Sequence, residues 1–395
     1  MSSQHGGTVT LKPINEVAVF LKKLIPANIP EVYALKPIFK KVASEENIRK
    51  GVIAFRNFLY TLCDFLISDG HLYAKPPKSP KSMDDYPFLH NVTNLLVDIG
   101  YHSKLAKSSN SLIITEIPSC TAAADDNKKI KTPRISVSSL IECLRFLTLC
   151  GFVFKGIDLE AKAFDISKLQ LLEVSYPNNP IMLIGLKAMS IADMELRKSR
   201  RYWNDNYFLR CDYRLMKAED TDILDILKDF LHPLPKKLQK FALNLHQRYT
   251  VMGMTCVINP RDVNFAYAQT ALKSTSLSSK TEGSFAHIKE SWRTLSSQHI
   301  YSRRVWGFSL SLKEGYCLII RAKKTDMYAD VIKEFPLSLQ KIIARGYGCD
   351  RKLRNERCQG GCQGIRIPLD DSILNISSHI ESWLDNEVMY LRKNK

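Results

Sequence analysis

Apolar residues recur at helical spacing through much of the first half of the chain, and short polar breaks separate them. The clearest stripe lies between Ser44 and Ile67, where apolar side chains return every three or four positions until Gly70. Ser44 stands before the acidic residues Glu45 and Glu46, a combination that suits the positive end of a helix. The pattern predicts a long amphipathic helix between Ser44 and Ile67.

Three glycines, Gly70, Gly100 and Gly151, occupy the same place in a weak internal repeat. Each follows one leucine by eleven positions and another leucine by four. The repeat predicts three amphipathic helices that each end at a glycine and lead into a strand. After Gly100 and Gly151 the pattern also predicts β-hairpins, in residues 104–117 and 152–175. The alternative is that unrelated helices share a common glycine ending.

Residues 140–174 contain a predicted helix, the junction Gly151-Phe152-Val153 and two predicted strands, in that order. This stretch resembles the recognition helix and wing of a winged-helix domain. The resemblance implies either contact with DNA or a role as a scaffold or protein-interaction module. The preceding residues 119–134 are rich in Ala, Asp, Lys and Pro and are predicted to form a linker.

The second half of the chain changes to the period of two that is typical of β-strands. Residues 305–312 and 316–322 are the clearest strands, and Lys313-Glu314-Gly315 between them predicts a hairpin turn. Helices are predicted on both sides of this hairpin, and a strand and a helix follow: residues 235–252, 326–344, 364–368 and 372–391. This order predicts an antiparallel sheet packed with helices.

The chain has 395 residues, of which 45% are apolar, and a formal net charge of +17 from 57 Lys and Arg against 40 Asp and Glu. The apolar share excludes a disordered chain, and the length predicts two domains. We assign residues 1–229 to a mainly helical domain with winged-helix-like hairpins and residues 230–395 to a basic α+β domain. The predicted fold class of the whole chain is therefore α+β.

The polar N-terminus lacks the basic and then apolar stretches of a secretory signal. Charged residues interrupt the longest apolar runs, so that none has the unbroken length of a membrane span. We therefore expect a cytoplasmic protein without a membrane partner. Its ten cysteines are expected to be reduced thiols or metal ligands.

Residues 364–370, which read Gly-Ile-Arg-Ile-Pro-Leu-Asp, precede a predicted terminal helix at residues 373–388. This ending is similar to that of the YdhG-like group of small bacterial α+β domains. Residues 306–320 and 328–343 fall where the central hairpin and the following helix of that group lie. Some members look frataxin-like and have been associated with iron handling, while most lack an assigned activity. The resemblance thus implies a helix-packed sheet and no single activity.

Cys349, Cys358 and Cys362 lie within fourteen residues and are accompanied by glycines that let the backbone wrap closely. Three sulfur ligands suit zinc or an iron-containing centre. A closed tetrahedral site needs a fourth ligand, and spacing does not choose among the candidates Cys256, Cys317, His246 and His379. The alternatives are unligated loop thiols or a redox pair.

Positive charge is concentrated in residues 230–395, which hold 26 Lys and Arg against 14 Asp and Glu. The excess lies near the predicted strands and around the three cysteines. Basic residues so clustered favour contact with phosphates. We predict such contacts from Arg303, Arg304, Arg321, Lys323, Lys324, Arg351, Lys352, Arg354 and Arg357. The alternative is an ordinary solvated basic face.

The sequence contains no Walker A loop, no GxGxxG after a strand, no HExxH, no GxSxG and no protein-kinase set. No catalytic residue is therefore predicted, and enzymatic activity stays open. The preferred hypothesis is polyanion binding, with nucleic acid as the partner. The alternative is a metal-handling or small-ligand-binding protein that uses Cys349, Cys358 and Cys362.

Overall fold

The structure is a computed structural model, and it describes most of the chain in eleven ranges. These are residues 9–106, 110–115, 117, 135–160, 171–199, 206–219, 221–259, 264–268, 304–322, 325–345 and 364–392. The chain divides into two compact units, Met1–Thr221 and Asp222–Lys395. The first unit is mainly helical and the second contains an antiparallel sheet, which confirms the predicted α+β class.

The described elements of the first unit are seven α-helices, two short 3-10 helices (Phe39–Lys41 and Tyr213–Met216) and four short strands. The helices are α1 (Ile14–Leu24), α2 (Glu45–Ser68), α3 (Gly70–Tyr73), α4 (Pro87–His102), α5 (Val137–Leu149), α6 (Met182–Ser199) and α7 (Asn206–Leu209). The strands are β1 (Lys104–Leu105), β2 (Ser111–Ile114), β3 (Val153–Lys155) and β4 (Leu172–Ser175). The predicted long helix is α2, and the Ser44 side chain accepts a hydrogen bond from the Asn47 backbone N–H at its start.

Helix α6 lies at the centre of this unit, because it packs against both α2 and α4. A Cβ built on Gly185 of α6 would lie 2.0 Å from the carbonyl oxygen of Gly51 in α2. A Cβ built on Gly100 of α4 would lie 2.1 Å from the hydroxyl oxygen of Ser190 in α6. Two glycine contacts therefore let the three backbones approach more closely than larger residues permit.

Lys187 of α6 closes the C-terminal end of α4. Its ammonium donates hydrogen bonds to the carbonyl oxygens of Gly100, at 3.1 Å, and of Ser103. The last carbonyl groups of a helix have no partner inside the helix, so a cation at this position satisfies them. Burial lowers the pKa of the Lys187 ammonium, which is the cost of placing a charge there.

The predicted helix endings at Gly70 and Gly151 are confirmed, and the one at Gly100 is wrong. Helix α2 ends at Ser68 with Asp69 as its C-cap, although Gly70 then begins α3 instead of a strand. Helix α4 continues through Gly100 to His102. Gly100 is required by its contact with Ser190, which a sequence pattern does not reveal. Gly151 directly follows the end of α5 and has a positive φ of 101°, the conformation expected of a glycine after a helix.

The two predicted hairpins of the first unit form one sheet. Its order is β1-β2-β4-β3, and every pair of neighbours is antiparallel. The hairpins β1-β2 and β3-β4 meet where Leu112 of β2 pairs with Val174 of β4, and both of these side chains are buried. The helix-hairpin order predicted for residues 140–174 is therefore present, as α5, β3 and β4.

The described elements of the second unit are six helices and five strands. The helices are α8 (Ile223–Leu231), α9 (Lys236–Val251), α10 (Ala329–Lys333), α11 (Leu337–Arg345), α12 (Asp371–Leu374) and α13 (Ser377–Arg392). The strands are β5 (Thr255–Asn259), β6 (Asn264–Ala268), β7 (Arg304–Ser311), β8 (Gly315–Ile320) and β9 (Ile365–Pro368). They form an antiparallel sheet in chain order, from β5 to β9, and the predicted β7-β8 hairpin is confirmed.

An aromatic cluster packs between this sheet and α9. Tyr267 and Trp306 pair directly across β6 and β7, and their rings stack with centroids 3.7 Å apart and planes 4° from parallel. Tyr249 of α9 meets Trp306 edge-on at 5.3 Å. Its hydroxyl donates to a carboxylate oxygen of Asp385 in α13, at 2.8 Å. The cluster thus ties the sheet to two helices.

The division between the units differs from the predicted boundary between residues 229 and 230. Helix α8 spans that boundary and belongs to the second unit. The reason is packing: Phe230 contacts the rings of Phe265 and Tyr316, at centroid distances of 4.9 and 5.1 Å. The Tyr316 hydroxyl also donates to the Phe230 carbonyl oxygen, so α8 is fixed to the sheet that follows it.

One described helix, α2, is long and apolar enough to cross a membrane by length and composition alone. Half of its apolar window is buried inside the fold, as in a core helix of a soluble protein. The structure is therefore compatible with a soluble protein.

Candidate nucleic-acid interface

Two of the nine predicted phosphate-binding residues, Arg304 and Arg321, lie in the described part of the chain. The three predicted metal ligands and the other seven basic residues lie outside the described residues. These are Cys349, Cys358, Cys362, Arg303, Lys323, Lys324, Arg351, Lys352, Arg354 and Arg357.

Arg304 and Arg321 lie at the same end of the five-stranded sheet. Arg304 begins β7 and pairs with Ala268 at the end of β6. The Arg321 backbone N–H donates to the Val305 carbonyl oxygen at 2.7 Å, which extends the β7-β8 ladder by one step. Residues far apart in sequence are thus brought to one sheet end.

Gly364 lies at this sheet end too and makes room for Arg321. Its neighbour Ile365 pairs with Ile320, and its own φ is +99°, a value that favours glycine. A Cβ at Gly364 would lie 3.2 Å from Cγ of Arg321 and 2.8 Å from a methyl carbon of Ile319. The glycine of the Gly-Ile-Arg-Ile-Pro-Leu-Asp stretch is therefore needed for the packing of the arginine stem.

The structure places Arg304 and Arg321 inside the protein instead of on a surface. Each residue is 6% exposed. Both are buried residues of the sheet end, and Arg321 packs over Gly364. Their contact with phosphate stays a prediction that this burial does not favour. The sequence prediction rested on the positive charge of these two residues, and a sequence does not show that they are buried.

Two of the four candidates for a fourth metal ligand, Cys256 and His246, are brought together by one tyrosine. Cys256 pairs with Tyr267 across β5 and β6, and the Cys256 thiol forms a hydrogen bond with the Tyr267 side chain. Nδ1 of His246 in α9 lies 2.7 Å from the same Tyr267 hydroxyl oxygen and shares a hydrogen bond with it. The cysteine and the histidine are thus connected through a phenol.

This arrangement does not supply a reactive thiol. Burial raises the pKa of the Cys256 thiol to about 12, so the thiolate is scarce at neutral pH. Burial also lowers the pKa of His246, an effect that the nearby Asp222 carboxylate opposes. The chain from Cys256 to Tyr267 to His246 therefore holds neutral groups and has the character of a satisfied polar network in the core. The direct pairing of Cys256 with Tyr267 could have revealed this network, but recognising that pair requires the register of β5 and β6.

The other two candidates lie elsewhere in the second unit. Cys317 of β8 is buried, its thiol lies 3.6 Å from the Glu314 carbonyl oxygen, and burial raises its pKa to about 11. His379 of α13 meets the ring of Phe335 edge-on at 5.7 Å. Among the described residues there is no group of three or more His, Cys, Asp or Glu arranged to hold a metal ion.

The described thiols of the first unit are buried as well. Cys63, Cys143, Cys150 and Cys211 are buried and form no disulfide. Burial raises the pKa of Cys63 and of Cys150 to about 12. A buried thiol of raised pKa reacts slowly with oxidants and binds metals poorly, so these cysteines act as small apolar side chains in the core.

Helix α5, the counterpart of the recognition helix in the winged-helix resemblance, presents little free positive charge. Its exposed side chains include one acid, Glu142, and one base, Arg145. The Arg145 guanidinium donates a hydrogen bond of 2.7 Å to the Leu159 carbonyl oxygen, which lies in the segment after β3. The one exposed basic side chain of this helix is therefore already hydrogen-bonded within the chain.

Comparison of the chain with protein-family models, with curated proteins and with solved structures gives no match. The winged-helix-like and YdhG-like resemblances consequently stay predictions.

Proposed function

We propose that the protein binds nucleic acid through phosphate contacts made by its second half. The observation that carries the proposal is the charge of residues 230–395, where 26 Lys and Arg face 14 Asp and Glu. A surplus of this size attracts a polyanion, and phosphate contacts supply most of the affinity of non-specific nucleic-acid binding.

The sheet topology supports this proposal, because it gathers the attachment points of the basic segments. Arg303 is bonded to Arg304, and Lys323 and Lys324 follow Ala322 directly in the chain. The described neighbours Arg304 and Arg321 share one end of the sheet with Gly364, which Cys362 precedes by two positions. The described residues that adjoin these basic segments in the chain thus lie at one end of the sheet.

Binding of labelled DNA and RNA, as duplexes and single strands, across a salt series tests the proposal. Affinity is expected to fall steeply with salt, with a logarithmic slope of about −0.9 for each duplex phosphate neutralised. The variant R303Q/K323Q/K324Q should bind more weakly and reduce that slope by roughly 2 to 3. Absence of binding at low salt would overturn the proposal.

A charge-matched control separates local contact from the effect of net charge. The variant K78Q/K313Q/K341Q also removes three positive charges, from side chains that are exposed in the structure. It should keep most of the affinity and the slope of the wild type. Equal losses in the two variants would remove residues 303, 323 and 324 from the interface, while the binding itself would stand.

A metal centre, of zinc or iron, on Cys349, Cys358 and Cys362 is a second proposal. What favours these thiols is their spacing, because three sulfur ligands lie within fourteen residues and glycines accompany them. Metal analysis of the purified protein should find about one metal ion per chain, lost in C358S and kept in C317S. Tightly held metal whose removal unfolds residues 230–395 would indicate a structural role, and exchangeable iron would indicate metal handling.

A cytoplasmic location is part of the same proposal. No disulfide joins the six described cysteines, as is usual in a reducing compartment. Cell fractionation of a tagged chain should recover the protein with cytoplasmic markers, and recovery with membranes would contradict the expectation.

A further inference from the structure

Helix α9 exposes a basic and polar face that sequence analysis did not select. Its sixteen residues include no Asp or Glu. Its exposed side chains include three lysines and two amides, which we call the lysine face: Lys236, Lys237, Lys240, Asn244 and Gln247. At about 100° per residue, these five positions fall within an arc of about 100° on one side of the helix.

The three lysines have no ion-pair partner among the described residues. None of the acidic side chains that the structure describes pairs with Lys236, Lys237 or Lys240. Two other exposed lysines of this unit are engaged: Lys228 pairs with Asp225 at 3.4 Å and Lys333 with Asp330 at 2.7 Å. Within the described part of the chain, the positive charge of the lysine face is therefore not compensated by an ion pair.

The position of these lysines is unfavourable for folding, which points to a role outside folding. Lys236 and Lys237 lie in the first turn of α9, where the helix dipole is positive and where acidic residues are preferred. Helix α8, which precedes it, follows that preference: the Asp222 carboxylate accepts from the Leu224 N–H, and Asp225 lies in the first turn. In α9 the first turn has no acidic residue, and its capping position is Pro235, which offers no side-chain cap.

The opposite side of α9 is packed against the fold, so the backbone that carries the lysine face is fixed. Leu238, Phe241, Leu245 and Tyr249 are buried. Farther along the helix, Arg248 is held by Glu381 of α13 at 2.9 Å and also pairs with Asp385. Lysines on a fixed helix lose only side-chain entropy on binding, whereas lysines on a loop also lose backbone entropy.

We propose that the lysine face docks on the sugar–phosphate backbone of a nucleic acid. The inference rests on the function proposed above and adds a surface to it. Lysine ammonium groups and the amides of Asn244 and Gln247 are donors that commonly bind phosphate oxygens. From Lys236 to Gln247 the helix rises about 16 Å, enough to follow a backbone over about five base-pair steps.

The test compares K236Q/K237Q/K240Q with the full-length wild type and with the control K78Q/K313Q/K341Q. Glutamine keeps the helix propensity and the side-chain length while it removes the charge. With a short labelled DNA duplex, the lysine-face variant should lose affinity on the order of 100-fold at 0.1 M salt, and its salt slope should shrink by about 2 to 3. The control should lose less than a tenth as much. Unchanged thermal unfolding would show that both variants are folded.

The outcomes distinguish the two proposals. If the wild type does not bind at low salt, both are overturned. If the wild type binds and the two variants lose affinity equally, the lysine face is overturned and nucleic-acid binding stands. A third arm uses vesicles of phosphatidylcholine and phosphatidylserine: binding to vesicles that is lost only in the lysine-face variant, without loss of duplex binding, would assign the face to membranes and overturn the proposal.

Discussion

The two units build their cores by opposite means. In the first unit, α2, α4 and α6 meet at glycines, and a Cβ on Gly185 would lie only 2.0 Å from a backbone oxygen of Gly51. In the second unit the core depends on large rings, with Trp306 stacked on Tyr267 at 3.7 Å. The first core packs closely because its contact glycines lack side chains, and the second core is filled by large aromatic side chains. We therefore expect the first unit to be sensitive to added volume and the second to removed volume.

The largest expected effect is that of Trp306→Ala. The side chain is fully buried and contacts Tyr249, Tyr267 and Phe308, so its removal leaves a cavity that a paired sheet cannot close. We expect a loss of about 4 kcal/mol in the free energy of unfolding of the second unit. Urea unfolding gives the magnitude, and native-state hydrogen exchange shows which amides lose protection.

Amide protection in the first unit is the control for this variant. If each unit has its own core, α2 and α6 should keep their protection in Trp306→Ala. Equal loss in both units would show a single cooperative body, and the comparison of two separate cores would fail.

Gly185→Ala is expected to have a smaller effect, confined to the first unit. One methyl group has no space between α6 and α2, because the neighbouring atoms belong to the Gly51 and Val52 backbones. Moving the helices apart should cost about 2 to 3 kcal/mol. Gly70→Ala is the matched control: its Cβ would meet only flexible side-chain atoms of Ile14, at 3.3 Å, and of Leu66. Similar stability of the two variants would contradict the role of the α2-α6 contact.

Local patterns predicted most of the regular structure, since they report on short-range geometry. The hairpin β7-β8 follows from alternating residues around Lys313-Glu314-Gly315, and α2 follows from its apolar stripe and its serine cap. The glycine repeat failed for a physical reason. A glycine serves equally well after a helix, as Gly151 does, or where two helices cross, as Gly100 does, and the sequence around it is similar in both cases.

The candidate site was predicted less well, because charge and burial are separate properties. Arg304 and Arg321 add to the count of positive charges in the same way as exposed arginines. Both nevertheless lie buried at the end of the sheet. The lysine face was readable in principle, since residues 236–251 combine an apolar stripe with a complete lack of acids. That no described acidic residue pairs with Lys236, Lys237 or Lys240 follows from the fold and not from the sequence pattern.

The smallest expected effect concerns His246, which borders the aromatic core of the second unit. Burial lowers the pKa of His246 below its ordinary value of about 6.5, and its Nδ1 shares a hydrogen bond with Tyr267. Below pH 6.5 the unfolded chain therefore binds a proton that the folded chain resists, so stability is lost as the pH falls. The free energy of unfolding of the second unit should decrease between pH 7.5 and about pH 5.5, and His246→Gln should flatten that decrease.

An exposed histidine of the first unit provides the control for the effect of His246→Gln on pH dependence. His71 of α3 is exposed and lies in the first unit, so His71→Gln should leave the pH dependence of the second unit unchanged. If both variants keep the full pH dependence, the burial of His246 is not its source. If only His246→Gln flattens the pH dependence, then one imidazole at the boundary of the aromatic core makes the stability of the second unit depend on pH. The histidine of the first unit, His71, does not contribute to that dependence.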